Sequence, residues 1–399
     1  MKNPLFLCGP ANCGTNLVKA ILGVNNKIHL ESEPFLPIFQ FLRTSIVKKN
    51  FKKNKSLKFD EPLFEYYFSN EKINQMSKIQ KSNLRIKFEK KNISMLKKKI
   101  QNRMKDYVPH LKKNINDLKG GNFKEIFDNA LKIIDKNHKK KNIKWVGWMD
   151  SWIEEFFPIL AKEYKHSKFI LIIRDPRASI ASYRSGFKIN VREKNMEPLT
   201  LSYLRSWRKQ VAFSEYYKNH KSLKKRILEI KYEDLVKKPK IVTKKMCKFL
   251  EIKFSPEMLD TTNFMGLGTN TKKWKPNSNY KATPQTGIYK NSLYKWKKKL
   301  PNDLKNFIEF VVGPELKYFK YNKIYKNKYT KLEYKNIIRF HSDEHKKSKG
   351  WRTNNNKPEV DIHYEVIRNK LIKEKKINEK TTKEYFLFDE IYQKLKKII

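Results

Sequence analysis

Short apolar runs alternate along the chain with stretches in which apolar residues recur every three or four positions. Leu5-Phe6-Leu7-Cys8 is a run of the first kind. It stops at Gly9, turns through Pro10 to Cys13, and restarts at Gly14-Thr15 with Leu17, Ala20 and Ile21 at helical spacing, so a strand, a tight loop and a helix are predicted. A short strand at 27–30 and a helix over 35–47 follow. Residues Phe123, Ile126, Phe127, Ala130, Leu131 and Ile134 share one face of a helix over 123–136. A strand at 143–148 comes next, and Ser151-x-x-Glu154 is a capping-box pattern that predicts the start of another helix. The continuous run FILII at 169–173 has the form of a strand buried on both faces. A long helix at 199–218, a buried strand at 227–230 and a helix opened by Lys238-Pro239 complete the pattern. Strands alternating with helices predict an α/β chain with a mostly parallel sheet covered on both sides.

Two segments break the alternation. From about 48 to 121 the chain is rich in Lys and Asn, with helical patches at Ile86, Ile93, Leu96 and Ile100 and no motif. We read it as a helical insertion, a lid or acceptor-binding element, closed by Gly120-Gly121. Beyond about 327 the pattern loosens into a charged extension with a last helix at 383–398. The expected organisation is therefore one α/β domain over 1–326, carrying the insertion, and a C-terminal extension over 327–399. No internal repeat is present.

Charge changes the picture less than its size suggests. The 399 residues include 90 Lys+Arg against 40 Asp+Glu, a formal net charge of +50. Lys outnumbers Arg, and Asn and Ile are frequent; these residues share A/T-rich codons, so part of the charge reflects base composition. What remains favours anions: a nucleotide, an acidic glycan, a membrane surface or a nucleic acid. The lysines are spread over the whole chain, and neither zinc-finger spacing nor an RNA-binding signature accompanies them, so no specific nucleic-acid partner is expected. Three cysteines (Cys8, Cys13, Cys247) make no disulfide framework. The first strand begins near Leu5, leaving no room for a signal peptide, and no apolar run reaches the ~18 residues of a membrane span. The expectation is a cytoplasmic protein without a transmembrane segment.

The candidate chemistry begins in the first loop. Residues Gly9, Pro10, Ala11, Asn12, Cys13, Gly14, Thr15 and Asn16 lie between a strand and a helix start, where backbone N–H groups and the helix dipole face an anion. The spacing Gly9-x4-Gly14 is that of a Walker A loop, but Thr15-Asn16 replace the Lys-Ser/Thr pair that handles a γ-phosphate and Mg²⁺. The loop is built to cradle phosphate without that metal, and no metal is expected. A second anion cradle is available at Arg174, at a strand's carboxyl end, with Ser182 about two helical turns later. Arg offers a planar, bidentate contact to phosphate and Ser a short hydroxyl donor.

Four segments together resemble the sulfotransferases that use 3′-phosphoadenosine 5′-phosphosulfate (PAPS). They are GPANCGTNL (9–17), IIRDPRASIASYRSG (172–186), KYEDLVKKP (231–239), and WKPNSNY (274–280) followed by YKWKKKLP (294–301). The likeness spans about residues 4–325, apart from the insertion. It implies a P-loop-like three-layer α/β/α fold. It also implies PAPS as co-substrate, held by the first loop, by Arg174 and Ser182, by Tyr232, and by Trp274, Lys275, Asn277 and Ser278. Trp207 resembles a position near the nucleotide. Glu33, following the second strand, is the candidate catalytic base, with Glu31 as its fallback. A hydroxyl on a glycan or another cell-surface precursor is the acceptor the resemblance implies, an anionic glycan fitting the charge.

Two departures bear on catalysis. Asn12 stands where the family carries a cation before the loop's second glycine, and Trp148 aligns with a second cation of some relatives. Asn12 is therefore counted among the catalytic candidates for what it replaces. Lys19, Arg43 and Lys275 are the alternatives for the missing charge. Two other readings stay open: a sulfotransferase-like nucleotide binder without turnover, and a P-loop small-molecule kinase.

Overall fold

The computed structural model describes residues 2–51, 57–59, 63, 70–182, 200–266, 288, 293–324, 326, 328–347 and 357–399. Among these residues five strands form one sheet: β1 (Asn3–Cys8), β2 (Ile28–Ser32), β3 (Trp145–Asp150), β4 (Lys168–Ile173) and β5 (Ile227–Lys231). Their order is β2-β3-β1-β4-β5 and every pairing is parallel, with Phe6 opposite both Trp148 and Phe169. The expected α/β class holds, and the sheet is parallel throughout.

Alternation of side chains along each strand divides the core in two. Leu5 and Leu7 of β1, with Leu30, Met149, Ile170 and Ile230, face α1 (Thr15–Val24), which contributes Val18, Ile21 and Leu22. Phe6 and Cys8, with Val146, Trp148, Phe169 and Leu171, face the opposite way. That side is covered by α2 (Leu36–Asn50), α5 (Phe123–Lys136) and α6 (Phe157–Glu163), and by α7 (Thr200–Asn219). Between α2 and α5 come α3 (Asn70–Lys81) and α4 (Ile93–Tyr107), whose Ile79, Leu96, Ile100 and Met104 join this larger core.

The rest of the chain adds α8 (Tyr232–Lys237), α9 (Pro239–Leu250), α10 (Trp296–Lys299) and α11 (Asn302–Tyr318), then α12 (Lys331–Lys347), α13 (Pro358–Leu371), α14 (Glu379–Phe386) and α15 (Asp389–Lys396). The charged extension is thus helical well before 383. Its Ile337, Ile362, Phe386, Ile391 and Leu395 are buried in the same core as α7 and α11. It is fastened by ion pairs almost without exposure: Arg205 to Asp361 at 2.9 Å and Glu365 at 2.8 Å, Arg208 to Glu365 at 2.5 Å, and Arg368 to Glu315.

Two sequence expectations fail. The last helix, expected over 383–398, is two, α14 and α15, broken at Leu387 with φ of 70°. Ser151 does not open a helix through a capping box; the chain turns, passes a short 3₁₀ segment at Glu154–Phe156 and enters α6 at Phe157. Glu154 is instead buried, 3.0 Å from the ammonium of Lys209 on α7, and accepts a hydrogen bond from Cys8 at 3.4 Å. A tertiary ion pair has claimed the carboxylate that a local cap would use.

Candidate active site

In a parallel sheet all carboxyl ends lie on one edge, and ligands bind outside that edge. Each strand here delivers a candidate group to it. The 9–14 loop follows β1, Glu33 follows β2, Asp150 ends β3, Arg174 follows β4 and Tyr232 follows β5.

The loop is shaped by close approaches. A Cβ on Gly9 would lie 2.2 Å from the Cys13 sulfur and 3.0 Å from the Ile172 carbonyl oxygen of β4. Gly14 has φ of 105°, in the left-handed region, and a Cβ there would sit 2.3 Å from the Tyr232 ring. Asn12 also has a positive φ, 62°. Cys13 N–H donates to the Pro10 carbonyl at 3.1 Å, closing the turn. Cys13 is buried, and burial pushes its thiol up to about 12, so it is an inert packing group. Thr15 and Asn16 open α1, and among the described residues no side chain caps the Gly14 end. The N–H groups of that first turn point to where an anion binds a helix start.

Arg174 is tied to this loop. Its Nη1 donates to the Asn12 backbone carbonyl at 2.8 Å, and its guanidinium lies 4.2 Å from the Tyr232 ring centroid. Ser182 Oγ stands 3.5 Å from Asn12 Oδ1, so Ser182, Asn12, Arg174, Tyr232 and Gly14 form one continuous patch. Helix α7 braces it from behind. Tyr203 donates to the Ala11 carbonyl at 2.7 Å, Trp207 to the Arg174 carbonyl at 2.9 Å and Gln210 to the Ile172 carbonyl at 3.0 Å. Trp207 therefore holds backbone, and is itself buried.

The second group of residues lies beyond β2 and β3. Glu33 takes φ of 48° and donates its N–H to Met149 at 2.8 Å, turning its side chain toward Asp150. Arg103, from α4, donates through Nε to the Glu33 carbonyl at 2.6 Å, pairs with the Glu33 carboxylate and stands 3.5 Å from Asp150. Burial pushes the Asp150 carboxyl well above its ordinary value; Arg103 opposes this and Glu33 adds to it. Burial likewise raises Glu33 against the guanidinium. Two carboxyls facing one guanidinium hold one proton between them most readily when the fully buried Asp150 carries it.

Glu31 does not suit a base. It is fully buried, and Nε2 of His29 and of His110 lie 3.2 and 2.8 Å from its Oε1. Burial pushes its carboxyl up, but the two imidazole hydrogen bonds win and hold it at about 2. Of the alternatives for the missing cation, Lys19 is buried on α1, where burial lowers its ammonium to about 8 against the pull of Glu31. Arg43 is buried in α2, and its charge acts on Glu155. Trp148 lies inside an aromatic cluster with Phe6 and Phe35 at centroid distances of 5.0 and 5.3 Å. Lys275, with Trp274, Asn277 and Ser278, lies outside the described residues.

A family model described as "Sulfotransferase family" matches residues 4–256, well over half of the chain. The chain belongs to the sulfotransferase family. A search of curated proteins gave no significant match. Among solved structures, the chain is similar to a sulfotransferase domain from the curacin biosynthetic pathway, with 17% identity, 76% of this chain and 93% of that one covered, and a TM-score of 0.41. It is also similar to a sulfotransferase domain of the Synechococcus PCC 7002 olefin synthase, at 14% identity, 76% and 90% coverage and a TM-score of 0.40. Mouse sulfotransferase SULT7A1, solved with PAP, matches at 13% identity, 78% and 84% coverage and a TM-score of 0.38.

Four groups at the sheet edge carry no signal in the motif reading. Arg103 sits in a segment where one more cation among many lysines attracts no notice. Asp150 reads as an ordinary strand end, while Tyr203 and Gln210 read as part of an apolar helix. The packing of α4 and α7 against the carboxyl ends of the strands brings them together there.

Proposed function

We propose that the chain transfers the sulfuryl group of PAPS to an acceptor hydroxyl. The observation that supports this best is the continuous patch from the Gly14 helix start through Asn12 to Arg174 and Ser182. It offers two anion positions at one sheet edge, as a nucleotide phosphorylated at both ends of its ribose requires. In this reading the amides of 9–14, with Thr15 and Asn16, receive the 5′-phosphosulfate. Arg174 and Ser182 receive the 3′-phosphate, and the Tyr232 ring lies beside the nucleoside.

Glu33 is the base. Its carboxylate takes the acceptor's hydroxyl proton, the oxygen attacks sulfur in line, and the S–O bond to the 5′-phosphate breaks, releasing adenosine 3′,5′-bisphosphate. Positioning and charge stabilisation supply most of such a rate enhancement. With Asn12 in place of the usual loop cation, Arg103 is a second cation, besides Arg174, that the fold brings to this edge. It orients Glu33 and adds positive potential where negative charge develops. A hydroxyl of a glycan or another cell-surface precursor is the acceptor class we favour, on the resemblance to the PAPS-dependent sulfotransferases.

Calorimetric titration with adenosine 3′,5′-bisphosphate, with ATP run beside it, tests the donor site. The bisphosphate is expected to bind and ATP to bind far more weakly, with Arg174→Ala losing the bisphosphate. If the bisphosphate fails to bind the wild type, the PAPS reading falls. Binding without turnover on any hydroxyl acceptor would favour the non-catalytic reading, which the Asn12 substitution supports.

A further inference from the structure

A second cluster of chemistry-bearing side chains lies far from the phosphate loop in sequence, in the C-terminal helices. His341 and His345 are one helical turn apart on α12, so both rings project from one face. Asp361 on α13 meets them there. One ligand atom from each of the three lies within 4.8 Å of the others. His341 is fully buried and Asp361 nearly so, while His345 is half-buried at the mouth.

The His341–Asp361 separation suits two ligands of one cation. His341 Nε2 and Asp361 Oδ2 are 3.4 Å apart, beyond the ~2.7–3.2 Å of a good N–H···O bond. Zinc bonds of about 2.0–2.1 Å at tetrahedral angles give a ligand–ligand edge of about 3.3 Å. The surrounding contacts orient the set. Arg205 holds Asp361 Oδ1 at 2.9 Å, which leaves Oδ2 turned to the imidazoles. Phe307 stacks on the His341 ring at 5.6 Å and 16°, and the His345 ring stands at 86° to that of His341. Outer contacts of this kind fix ring and carboxylate orientation in metal sites.

Arg205, Arg208 and Arg368 are matched by Asp361, Glu365 and Glu315. Neutral imidazole is the ligating form. We propose that His341, His345 and Asp361 bind a divalent transition metal, zinc by ligand type, with water in the fourth position at the His345 mouth. The metal clasps α12 to α13. Through Arg205 it also secures α7, the helix whose Trp207 holds Arg174.

The test uses the full-length chain, stripped with chelator and titrated with zinc by calorimetry and with cobalt(II) by visible absorption. One equivalent per chain is expected, with the intense visible bands of four-coordinate cobalt and a zinc-dependent rise in Tm. His345→Ala, at the half-buried position, should fold without metal, weaken uptake at least tenfold and lose the rise in Tm. His363→Ala, on the exposed side of α13, should leave uptake unchanged. No uptake by the wild type, cobalt bands of an octahedral ion, or equal uptake by His345→Ala would each overturn the proposal. The wild-type cobalt spectrum decides the matter even if a variant fails to fold.

Discussion

Arg103 grips Glu33 twice, through a 2.6 Å hydrogen bond from Nε to the Glu33 backbone carbonyl and through an ion pair to its carboxylate. The first contact fixes where Glu33 is and the second fixes its charge. If Glu33 is the base, removing the guanidinium should raise its pKa and misplace it. Arg103→Ala should therefore lower kcat by about 10–100-fold and move the acid limb of the kcat profile to higher pH. Glu33→Gln should cost more, about 10²–10⁴-fold, and abolish that limb. Superimposable pH profiles for wild type and Arg103→Ala would remove Arg103 from the mechanism.

Gly14 is predicted to tolerate no side chain. Its φ of 105° and the Tyr232 ring, 2.3 Å from where a Cβ would stand, combine backbone strain with a clash. Gly14→Ala should weaken bisphosphate binding at least tenfold by calorimetry and lower stability by about 1–3 kcal/mol. The companion Gly23→Ala, where a Cβ meets open space, should bind as the wild type does.

Acid should unfold the protein through the Glu31 cluster. Burial holds His29 below the ordinary histidine value, so His29 disfavours folding once pH falls below about 6.5, where the unfolded chain protonates. Glu31 is depressed to about 2, so its contribution is whole above about 4.5 and is lost as pH drops toward 2. The Glu31 share is roughly 3 kcal/mol. Thermal unfolding from pH 7 to pH 3 should show a steep fall in Tm, and Glu31→Gln should start lower and fall less.

Lys209 is buried between Glu154 at 3.0 Å and Glu155 at 3.6 Å. Burial pushes Glu155 up to about 7, so Lys209 answers mainly to Glu154. Lys209→Met leaves a buried carboxylate uncompensated and should cost about 3–5 kcal/mol in denaturant unfolding. Adding Glu154→Gln should recover part of that loss, and a strictly additive double variant would disprove the pairing.

Glu365 accepts from both Arg205 and Arg208 with almost no exposure. Glu365→Ala takes from the buried Arg208 guanidinium the carboxylate it pairs with, while Arg205 keeps Asp361, and should cost about 3–5 kcal/mol. Removing residues 357–399 should abolish cooperative unfolding altogether, measured by circular dichroism.

The central strands β1 and β4 were readable in the sequence because a parallel strand buried on both faces demands an unbroken apolar run, as in FILII of β4. The phosphate loop was readable because Gly9 and Gly14 answer local needs: a close approach and a left-handed φ. The C-terminal helices were largely hidden. Their apolar residues are sparse, and what secures them is Arg205, Arg208 and Arg368 against carboxylates far away in sequence, which leaves no periodic trace. Ser151 and Glu154 misled for the same reason: Lys209 claimed the carboxylate from a distance. Arg103 was invisible because nothing in a lysine-rich segment marks a cation that reaches Glu33.

The brace formed by α7 has a bearing on how the molecule is made. One side of that helix holds the carbonyls of Ala11, Ile172 and Arg174, and the other carries the arginines that meet Asp361 and Glu365. A ribosome synthesises the loop more than three hundred residues before those carboxylates. A nascent chain cut short would thus expose bare guanidinium groups beside an unbraced loop. Quality control would meet an unfolded polypeptide, not a half-working enzyme.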